Sequence, residues 1–292
     1  MEAQAKINLR LKVLGREASG FHEVETLLLR LVLADTVRVR RTTGARSLDV
    51  TGLSAPNVIG LVEHNLAWRA AELYCRATGW TDGFAIELEK RIPIGGGLGG
   101  GSADAGAVLR ILDALAPVPM GEHALEMLAA ALGADVPFLT SPYAFVLGVG
   151  RGDKLLALSP PPSRPVSLLI PPFGVSTAQA YGWIAESRAA AGITGAAAAR
   201  VRLQALSDWN VLATVAENDF EPVVTAHHPE IAELVDDLRH FGCAPAMMSG
   251  SGSVVFGVVE GDLGPRGMVL REGVRGLLTF TATDVEPVLP LD

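Results

Sequence analysis

Apolar and polar residues alternate along three stretches in the first half of the chain, at residues 7–13, 37–40 and 84–89. Alternation with a period of two predicts β-strands that bury one face and leave the other in water. In the first stretch the polar positions include Asn8 and Arg10, which we therefore expect to be solvated. Several half-exposed strands in one half of a chain indicate an antiparallel sheet.

The apolar spacing changes to three and four residues at residues 66–74, 108–112 and 125–132, which predicts three helices between and after these strands. We expect the third helix to stop at Gly133, because glycine suits the left-handed backbone conformation that follows many helix ends. The first half of the chain therefore mixes helices with antiparallel strands.

Four prolines within residues 159–165 interrupt the pattern. Residues without an amide donor cannot continue a helix or a central strand, so this segment predicts a boundary between domains at residues 1–158 and 166–292. In the second domain we predict strands and then helices at the following positions: strands at 166–170, 253–259 and 279–285, helices at 177–190 and 229–241.

Composition narrows the class of protein. The 292 residues are 49% hydrophobic and 19% charged, which is typical of a packed globular protein. The net charge of −8 argues against a nucleic-acid partner, and the sequence shows neither a signal peptide nor an apolar stretch of the ~18 residues that suggest a membrane span. The widely separated Cys75 and Cys243 fit neither a disulfide framework nor a zinc module. We expect a cytoplasmic protein.

A glycine-rich segment lies between a predicted strand and a predicted helix. Glycines let successive backbone N–H groups wrap an anion, and the helix that follows points the positive end of its dipole at the same place. We expect a branched side chain at Gly100 to force a disfavoured backbone dihedral. The predicted phosphate-binding residues are Pro93, Ile94, Gly95, Gly96, Gly97, Leu98, Gly99, Gly100, Gly101, Ser102 and Ala103.

Other uses of this segment fit less well. The spacing of Gly95, Gly97 and Gly100 matches a dinucleotide-binding pattern, but Glu87 and Glu89 place charge on one face of the preceding strand, which such folds bury on both faces. The segment lacks the lysine of a P-loop. A glycine-rich turn without a ligand is the remaining alternative.

Two other short motifs carry little functional signal. His227 and His228 lack the spacing of a metal site, and we expect them to be surface residues. The tripeptide Arg-Gly-Asp at residues 151–153 is common by chance. We predict no metal site formed by the protein.

The glycine-rich segment resembles the phosphate-binding motif of the GHMP kinase superfamily, and two more of its motifs follow in order: Ala-Lys-Ile-Asn-Leu at residues 5–9 and Ser-Gly-Ser-Gly-Ser at 249–253. Residues 20–22, 133–138 and 218–221 narrow the resemblance to kinases of a cytidine diphosphate-linked methylerythritol, in the non-mevalonate route to isoprenoids. The resemblance implies an α+β fold of two domains, with mixed or antiparallel sheets, helices and an active site in the cleft between domains. It also implies ATP as co-substrate, bound as Mg-ATP, and no tightly bound prosthetic group.

Two residues carry the chemistry that the resemblance implies. Asp135 matches the catalytic base, and Lys6 matches the cation that pairs with it and stabilises charge on the acceptor hydroxyl and the γ-phosphate. A nearby ammonium would keep the carboxylate ionised and able to accept a proton. From the residues alone, a turn or capping aspartate is the preferred interpretation of Asp135, and the resemblance reverses that preference. The alternative for Lys6 is a strand-edge lysine with its amine in water.

Substrate contacts follow from the same resemblance. Asn8 shares a strand face with Lys6 and could bind the acceptor. Phe21 and His22 match an aromatic pair that contacts cytosine, with Phe21 in place of the family's tyrosine, and Thr177 matches a position near the substrate. The alternatives are a core phenylalanine beside a surface histidine, and a helix cap at Thr177.

Three residues near the predicted phosphate site have similar alternatives. Asn65 matches a position close to the nucleotide but also suits a helix cap. Ser102 could offer its hydroxyl to Mg²⁺ or phosphate, or cap the following helix. Asp104 is the nearest acidic candidate for Mg²⁺, or simply favours the start of that helix.

Two other functions compete with this interpretation. One is a kinase of the same superfamily that acts on homoserine or a mevalonate-pathway alcohol, against which Phe21, His22 and Asp135 argue. The other is a catalytically silent nucleotide-binding sensor, which the presence of both Lys6 and Asp135 disfavours.

Overall fold

The structure, a computed structural model, describes residues 1–16, 22–52, 61–192, 202–260 and 268–290. Its strands are β1 (Glu2–Arg16), β2 (His22–Thr42), β3 (Ser47–Gly52), β4 (Gly83–Lys90), β5 (Phe145–Val149), β6 (Lys154–Ala157), β7 (Pro165–Ile170), β8 (Glu217–Asn218), β9 (Cys243–Met248), β10 (Val255–Val259) and β11 (Arg275–Phe280). Its helices are α1 (Leu66–Thr78), α2 (Gly100–Leu115), α3 (Glu122–Ala130), α4 (Val136–Thr140), α5 (Thr177–Ala191), α6 (Trp209–Val215), α7 (Glu221–His227) and α8 (Pro229–His240), with short 3₁₀ turns at Val62–His64 and Leu203–Ser207.

Two sheets organise the described residues, and the predicted α+β class with mixed and antiparallel sheets is confirmed. The larger sheet has the path β3-β4-β2-β1-β8, with β5 and β6 attached through the long strand β2. Most of its pairs are antiparallel, but β3 runs parallel to β4 and β8 runs parallel to β1. The smaller sheet, β11-β7-β10-β9, is antiparallel throughout. We keep residues 1–158 and 166–292 as proposed domains.

The prediction that the polar face of β1 is in water is wrong. Lys6, Asn8 and Arg10 are all buried, although the polar residues of the other two predicted strands, such as Glu87, are exposed as expected. The reason is tertiary, because other parts of the chain supply partners to this face, such as Asp135 to Lys6 and Thr26 to Asn8. Arg10, for example, donates to Glu25 and to the carbonyl oxygen of Val215. The polar face of β1 is therefore an interior surface.

Two predicted ends of elements are wrong. Helix α3 ends at Ala130, three residues before Gly133, whose backbone does not adopt a positive φ. The strand predicted at 279–285 overlaps β11 only at residues 279–280, because β11 starts at Arg275 and ends at Phe280, opposite Pro165, where its partner β7 begins. Thr281 then forms an isolated bridge with Leu31. No helix within the described ranges is long and apolar enough to cross a membrane.

Candidate functional site

The glycine-rich segment connects β4 to α2 as predicted. Gly95, Gly97 and Gly99 have φ angles of 73°, 79° and 74°, in the left-handed region that side chains with a Cβ disfavour. The expectation that Gly100 needs such a dihedral is wrong, because its φ is not positive. A Cβ there would instead lie 3.1 Å from a methyl carbon of Ile92. The left-handed backbone conformation thus occurs at every second residue of the loop before the helix, and glycine occupies each of these positions.

The loop at residues 249–253 packs directly on this segment. The Ser249 hydroxyl donates a hydrogen bond to the Gly97 carbonyl oxygen at 2.9 Å, and the Val254 amide donates to the Gly96 carbonyl at 3.2 Å. A Cβ on Gly97 would lie only 2.0 Å from the Ser249 carbonyl oxygen. Two glycine-rich motifs about 150 residues apart therefore form one surface.

Segment 218–221 holds the loop at 249–253 against β1. The Asn218 amide donates to the carbonyl oxygens of Met248 and Gly250, at 2.9 and 2.8 Å. Asp219 accepts hydrogen bonds from the Val13 amide at 2.9 Å and from the Lys12 amine at 2.7 Å. Residues 218–221 therefore link β1 to the loop at 249–253.

Lys6 and Asp135 lie together beside the glycine-rich segment. The Lys6 Nζ is 3.3 Å from Asp135 Oδ2 and donates to Asn8 Oδ1 at 2.6 Å, and the Lys6 side chain is only 3% exposed. The interpretation of Lys6 as a strand-edge lysine with its amine in water is therefore wrong. Asp135 lies in the turn before α4, at its N-cap position, as the turn alternative predicts, but its side chain makes no capping hydrogen bond. Its carboxylate is 36% exposed.

A chain of buried hydrogen bonds orients Asn8. Its amide nitrogen donates to Thr26 Oγ1 at 2.9 Å, and the Thr26 hydroxyl donates to the Arg10 carbonyl oxygen at 2.8 Å. This leaves the Asn8 carbonyl oxygen facing the Lys6 amine. Thr26 was not identified from the sequence, because a threonine in a strand is common and carries no signal of its own.

Two cavities meet at the glycine-rich segment, with Gly95, Gly97 and Gly99–Gly101 in both. The apolar cavity is lined by Val50, Asn65, Leu66, Leu88, Lys90, Ile92, residues 93–101 and Asp104. The polar cavity is lined by residues from both halves of the chain, among them Lys6, Asn8, Thr26, Ser102, Asp135, Arg151, Thr177, Tyr181 and Ser251. An arrangement of this kind can hold two ligands on either side of one anion-binding loop.

A buried triad of Asp35, Lys90 and Asp104 lies at the apolar cavity. The Lys90 amine contacts both carboxylates, at 2.6 Å for Asp104 Oδ2. Asp35 also accepts hydrogen bonds from two backbone amides, including that of Ile92 at 2.8 Å. Asp104 Oδ1 has no hydrogen-bond partner among the residues that the structure describes. Burial raises the pKa of Asp104 to about 7, because desolvation and the neighbouring Asp35 charge outweigh the attraction of Lys90.

This triad changes the interpretation of Asp104. Its Oδ2 is engaged by Lys90, and the residue is only 3% exposed, so the carboxylate serves first as a partner of that amine. Although burial disfavours a charged amine, the two carboxylates raise the pKa of Lys90 above its ordinary value. Because Asp35 also bonds to the backbone just before the glycine-rich segment, the triad anchors β4 and α2 to β2 at the start of the loop.

Three residues predicted to contact the substrate, Phe21, His22 and Thr177, have different outcomes. Phe21 lies outside the described residues. The ring of His22 stacks on that of Tyr181, with centroids 4.3 Å apart and planes 13° apart. Thr177 is the first residue of α5 rather than its cap, which is Ser176, and its hydroxyl lies 2.9 Å from that of Ser251.

Tyr181 and Arg151 were missed by sequence reasoning. Tyr181 lines the polar cavity, and burial together with the Asp135 charge raises its pKa to about 12. Arg151, in the tripeptide expected by chance, lines the same cavity. No local pattern marks either residue, because their proximity to Asp135 arises only from tertiary packing.

Asn65 and Ser102 lie at the ends of two helices. The Asn65 side chain accepts a hydrogen bond from the Ala67 amide at 2.9 Å and so caps α1, and the same residue lines the apolar cavity. The cap of α2 is Gly99, so the interpretation of Ser102 as a cap is wrong. Ser102 lies in the first turn of α2 and lines the polar cavity.

Models of known families match two parts of the chain. The model of the GHMP kinases N terminal domain matches residues 65–146, and that of the GHMP kinases C terminal matches residues 197–264. The chain is 41% identical over 258 residues to a 4-diphosphocytidyl-2-C-methyl-D-erythritol kinase of Pelotomaculum thermopropionicum, covering 88% of this chain and 87% of the relative. It is 36% identical over 277 residues to a kinase of the same name from Heliobacterium modesticaldum, covering 89% and 86%.

Solved structures share the fold. A crystal structure of 4-(cytidine 5'-diphospho)-2C-methyl-D-erythritol kinase superposes with a TM-score of 0.74 at 33% identity, covering 96% of this chain and 98% of the other. A homoserine kinase from Cytophaga hutchinsonii superposes with a TM-score of 0.65 at 16% identity, covering 97% and 96%. The second likeness concerns the fold alone. The expected two-domain GHMP kinase architecture is confirmed.

Proposed function

The chain belongs to the family of 4-diphosphocytidyl-2-C-methyl-D-erythritol kinases within the GHMP kinases, and we propose that it transfers the γ-phosphoryl group of ATP to the 2-hydroxyl of 4-diphosphocytidyl-2-C-methyl-D-erythritol. The observation that carries this proposal is the Lys6–Asp135 pair, at 3.3 Å, in a polar cavity that shares one glycine-rich loop with an apolar cavity. Phosphoryl transfer needs this combination of an anion cradle, a cation and an acceptor for a proton.

ATP occupies the apolar cavity in this proposal. Aliphatic side chains such as Val50, Leu66 and Leu88 offer surface to the adenine, and Asn65 lies at the same wall. The phosphates lie on the backbone amides of residues 95–101, at the positive end of the α2 dipole. This arrangement brings the γ-phosphate to the part of the loop that the two cavities share.

Asp135 acts as the general base toward the acceptor hydroxyl. Its carboxylate is partly exposed in the polar cavity, where it can reach a ligand, and it is paired with the Lys6 amine. Lys6 also stabilises negative charge on the attacking oxygen and the transferred group. Asn8, fixed by Thr26, holds the Lys6 amine in this position and offers its amide to the acceptor.

The cytidine diphosphate part of the acceptor extends along the remaining wall of the polar cavity. Tyr181 presents an aromatic ring beside His22, which suits a flat base, and Phe21 adjoins His22 in the sequence. Arg151 supplies a cation for the diphosphate. Thr177, one helical turn before Tyr181, and Ser251 offer hydroxyl groups in the same cavity.

Magnesium enters with ATP in this proposal. Among the described residues no three His, Cys, Asp or Glu side chains lie close enough to hold a metal ion, and Asp104 is engaged by Lys90. Mg²⁺ binds phosphate oxygens and often only one or two protein groups. The Ser102 hydroxyl, in the first turn of α2, is the protein group that we assign to this role.

An acceptor screen tests the proposed function. ADP release is measured with ATP and the cytidine-diphosphate-linked methylerythritol, with the unlinked polyol, with homoserine and with mevalonate. We expect turnover with the linked acceptor only, and a product that is heavier by one phosphoryl group. Turnover with homoserine or mevalonate would favour another kinase of the superfamily, and no turnover with ATP and any acceptor would favour a silent nucleotide-binding protein.

A further inference from the structure

A second buried cation lies beside Lys6 in the first sheet. Arg30 on β2 is directly opposite Lys6 on β1 in the antiparallel register, and it is 1% exposed. Side chains of directly opposite residues lie on the same face of a sheet. Both cations therefore lie on one face of the sheet, where Lys6 contacts the residue before α4 and Arg30 contacts the end of α4. The mechanism above uses only Lys6.

Arg30 binds the end of α4 that is remote from Asp135. Its Nη2 donates to the carbonyl oxygens of Phe138 and Ser141 at 2.8 and 3.0 Å, and its Nε donates to the Tyr143 carbonyl oxygen at 3.0 Å. Carbonyl groups at a helix end lack partners within the helix, and a cation there is favourable. Arg30 thus satisfies the last turn of α4 and the residues that follow it.

The Arg30 guanidinium is held by backbone carbonyl groups and an aromatic ring. Across the described residues, no carboxylate lies within ion-pair distance of Arg30, so its charge is offset by carbonyl oxygens and by the ring of Phe138, 5.0 Å away. An unpaired buried charge is costly, and three acceptors at fixed positions suit the planar fork of arginine rather than a lysine amine. The three carbonyl groups of residues 138–143 thus match the hydrogen-bonding geometry of an arginine side chain.

We propose that Arg30 is a positioning residue for the phosphoryl transfer: it fixes the C-terminal end of α4 so that Asp135, at the N-terminal end, stays aligned with Lys6 and the glycine-rich loop. This inference depends on the role of Asp135 under the proposed function. Helix α4 is held on a second side by close packing on α2, where a Cβ on Gly106 would lie 2.6 Å from the Leu139 carbonyl oxygen. The hydrogen bonds from Arg30 add a second attachment at the C-terminal end of α4.

The test compares Arg30→Lys and Arg30→Gln with a control that removes a hydrogen bond elsewhere. Tyr74→Phe is suitable, because the buried Tyr74 donates to Asp113 at 2.9 Å, away from α4. Displacement of a reacting group by about 1 Å can cost ~10²-fold in rate. We expect kcat to fall about tenfold for Arg30→Lys and more for Arg30→Gln, with ATP affinity within about twofold of the parent. The control should lose thermal stability without this selective loss of kcat.

A second measurement does not require turnover. The amides of Leu139 and Ser141 bond to carbonyl oxygens within α4 or just before it, so their hydrogen exchange reports how firmly the helix is held. Exchange should accelerate in both Arg30 variants and stay at the parental rate in Tyr74→Phe. Parental exchange rates in folded Arg30→Lys would overturn the proposal. If the parent showed no kinase activity, the proposed function would fail, whereas the exchange result would still decide whether Arg30 fixes α4.

A double variant separates positioning from general loss of stability. If Arg30 acts through Asp135, adding Arg30→Lys to Asp135→Asn should lower the residual kcat by less than about twofold, because the group being positioned has already been removed. A tenfold further loss in the double variant would show that Arg30 acts independently of Asp135 and would overturn the proposal.

Discussion

Substituting Gly97 by alanine should damage catalysis far more than stability. Gly97 has a φ of 79°, and a Cβ there would lie 2.0 Å from the Ser249 carbonyl oxygen. The two loops would have to separate by about 1.4 Å to reach ordinary contact at 3.4 Å. A misplacement of about 1 Å in a reacting geometry can cost ~10²-fold in rate. We therefore expect kcat/KM to fall about a hundredfold.

Gly79→Ala is the matched control. Gly79 ends α1 with a φ of 69°, and a Cβ there would meet no atom within 4 Å. Both substitutions force alanine into the left-handed region, which costs about 1–3 kcal/mol, but only Gly97→Ala displaces a neighbouring backbone. Both variants should melt a few degrees below the parent, and the difference between them isolates the contact of the two loops.

The assay is ADP release at saturating and limiting concentrations of each substrate, with melting temperature measured on the same preparations. Loss of kcat/KM should appear in Gly97→Ala and not in Gly79→Ala. If the two variants have kcat/KM values within threefold of each other, close packing between the glycine-rich segment and the loop at 249–253 does not determine the catalytic geometry, and the reasoning is refuted.

Three further predictions concern single side chains. Asp135→Asn should lower kcat by ~10²–10⁴ while calorimetry finds ATP affinity nearly intact; parental turnover would contradict its role as base. Phe21→Ala should raise the KM for the cytidine substrate by about tenfold to a hundredfold, as for a lost stacking contact of ~1–3 kcal/mol, and leave the KM for ATP unchanged; a lower melting temperature with an unaltered cytidine KM would refute that role. Because burial raises the pKa of Asp104 to about 7 from an ordinary 3.8, its stabilising contribution is complete below about pH 3.8 and is lost as the pH rises to about 7. Denaturant unfolding should therefore show a steeper fall in stability over this range for the parent than for Asp104→Asn, and equal slopes would contradict the shift.

Local sequence signals predicted the elements around the site better than the environments of its charged side chains. The alternation in β1 correctly predicts a strand, yet it assigns Asn8 and Arg10 to water because a period of two does not report what covers the second face. The same limit applies to Asp104, whose place at the start of α2 suggests a contact with the helix dipole but whose partner, Lys90, lies at the end of β4. Buried ion pairs are tertiary facts, and a single sequence leaves them undetermined.

The contact between the two glycine-rich loops explains why motifs at opposite ends of the chain form one site. Strand β1 donates the Lys6 amide to the Leu98 carbonyl of the first loop, and the same strand accepts the Asp219 amide at Leu11, in the segment that holds the second loop. A displacement of β1 would therefore move the anion cradle, the loop at 249–253 and the Lys6 amine together. Under the proposed function, the strand would therefore couple phosphate binding to the position of the cation beside Asp135, as transfer to a hydroxyl requires.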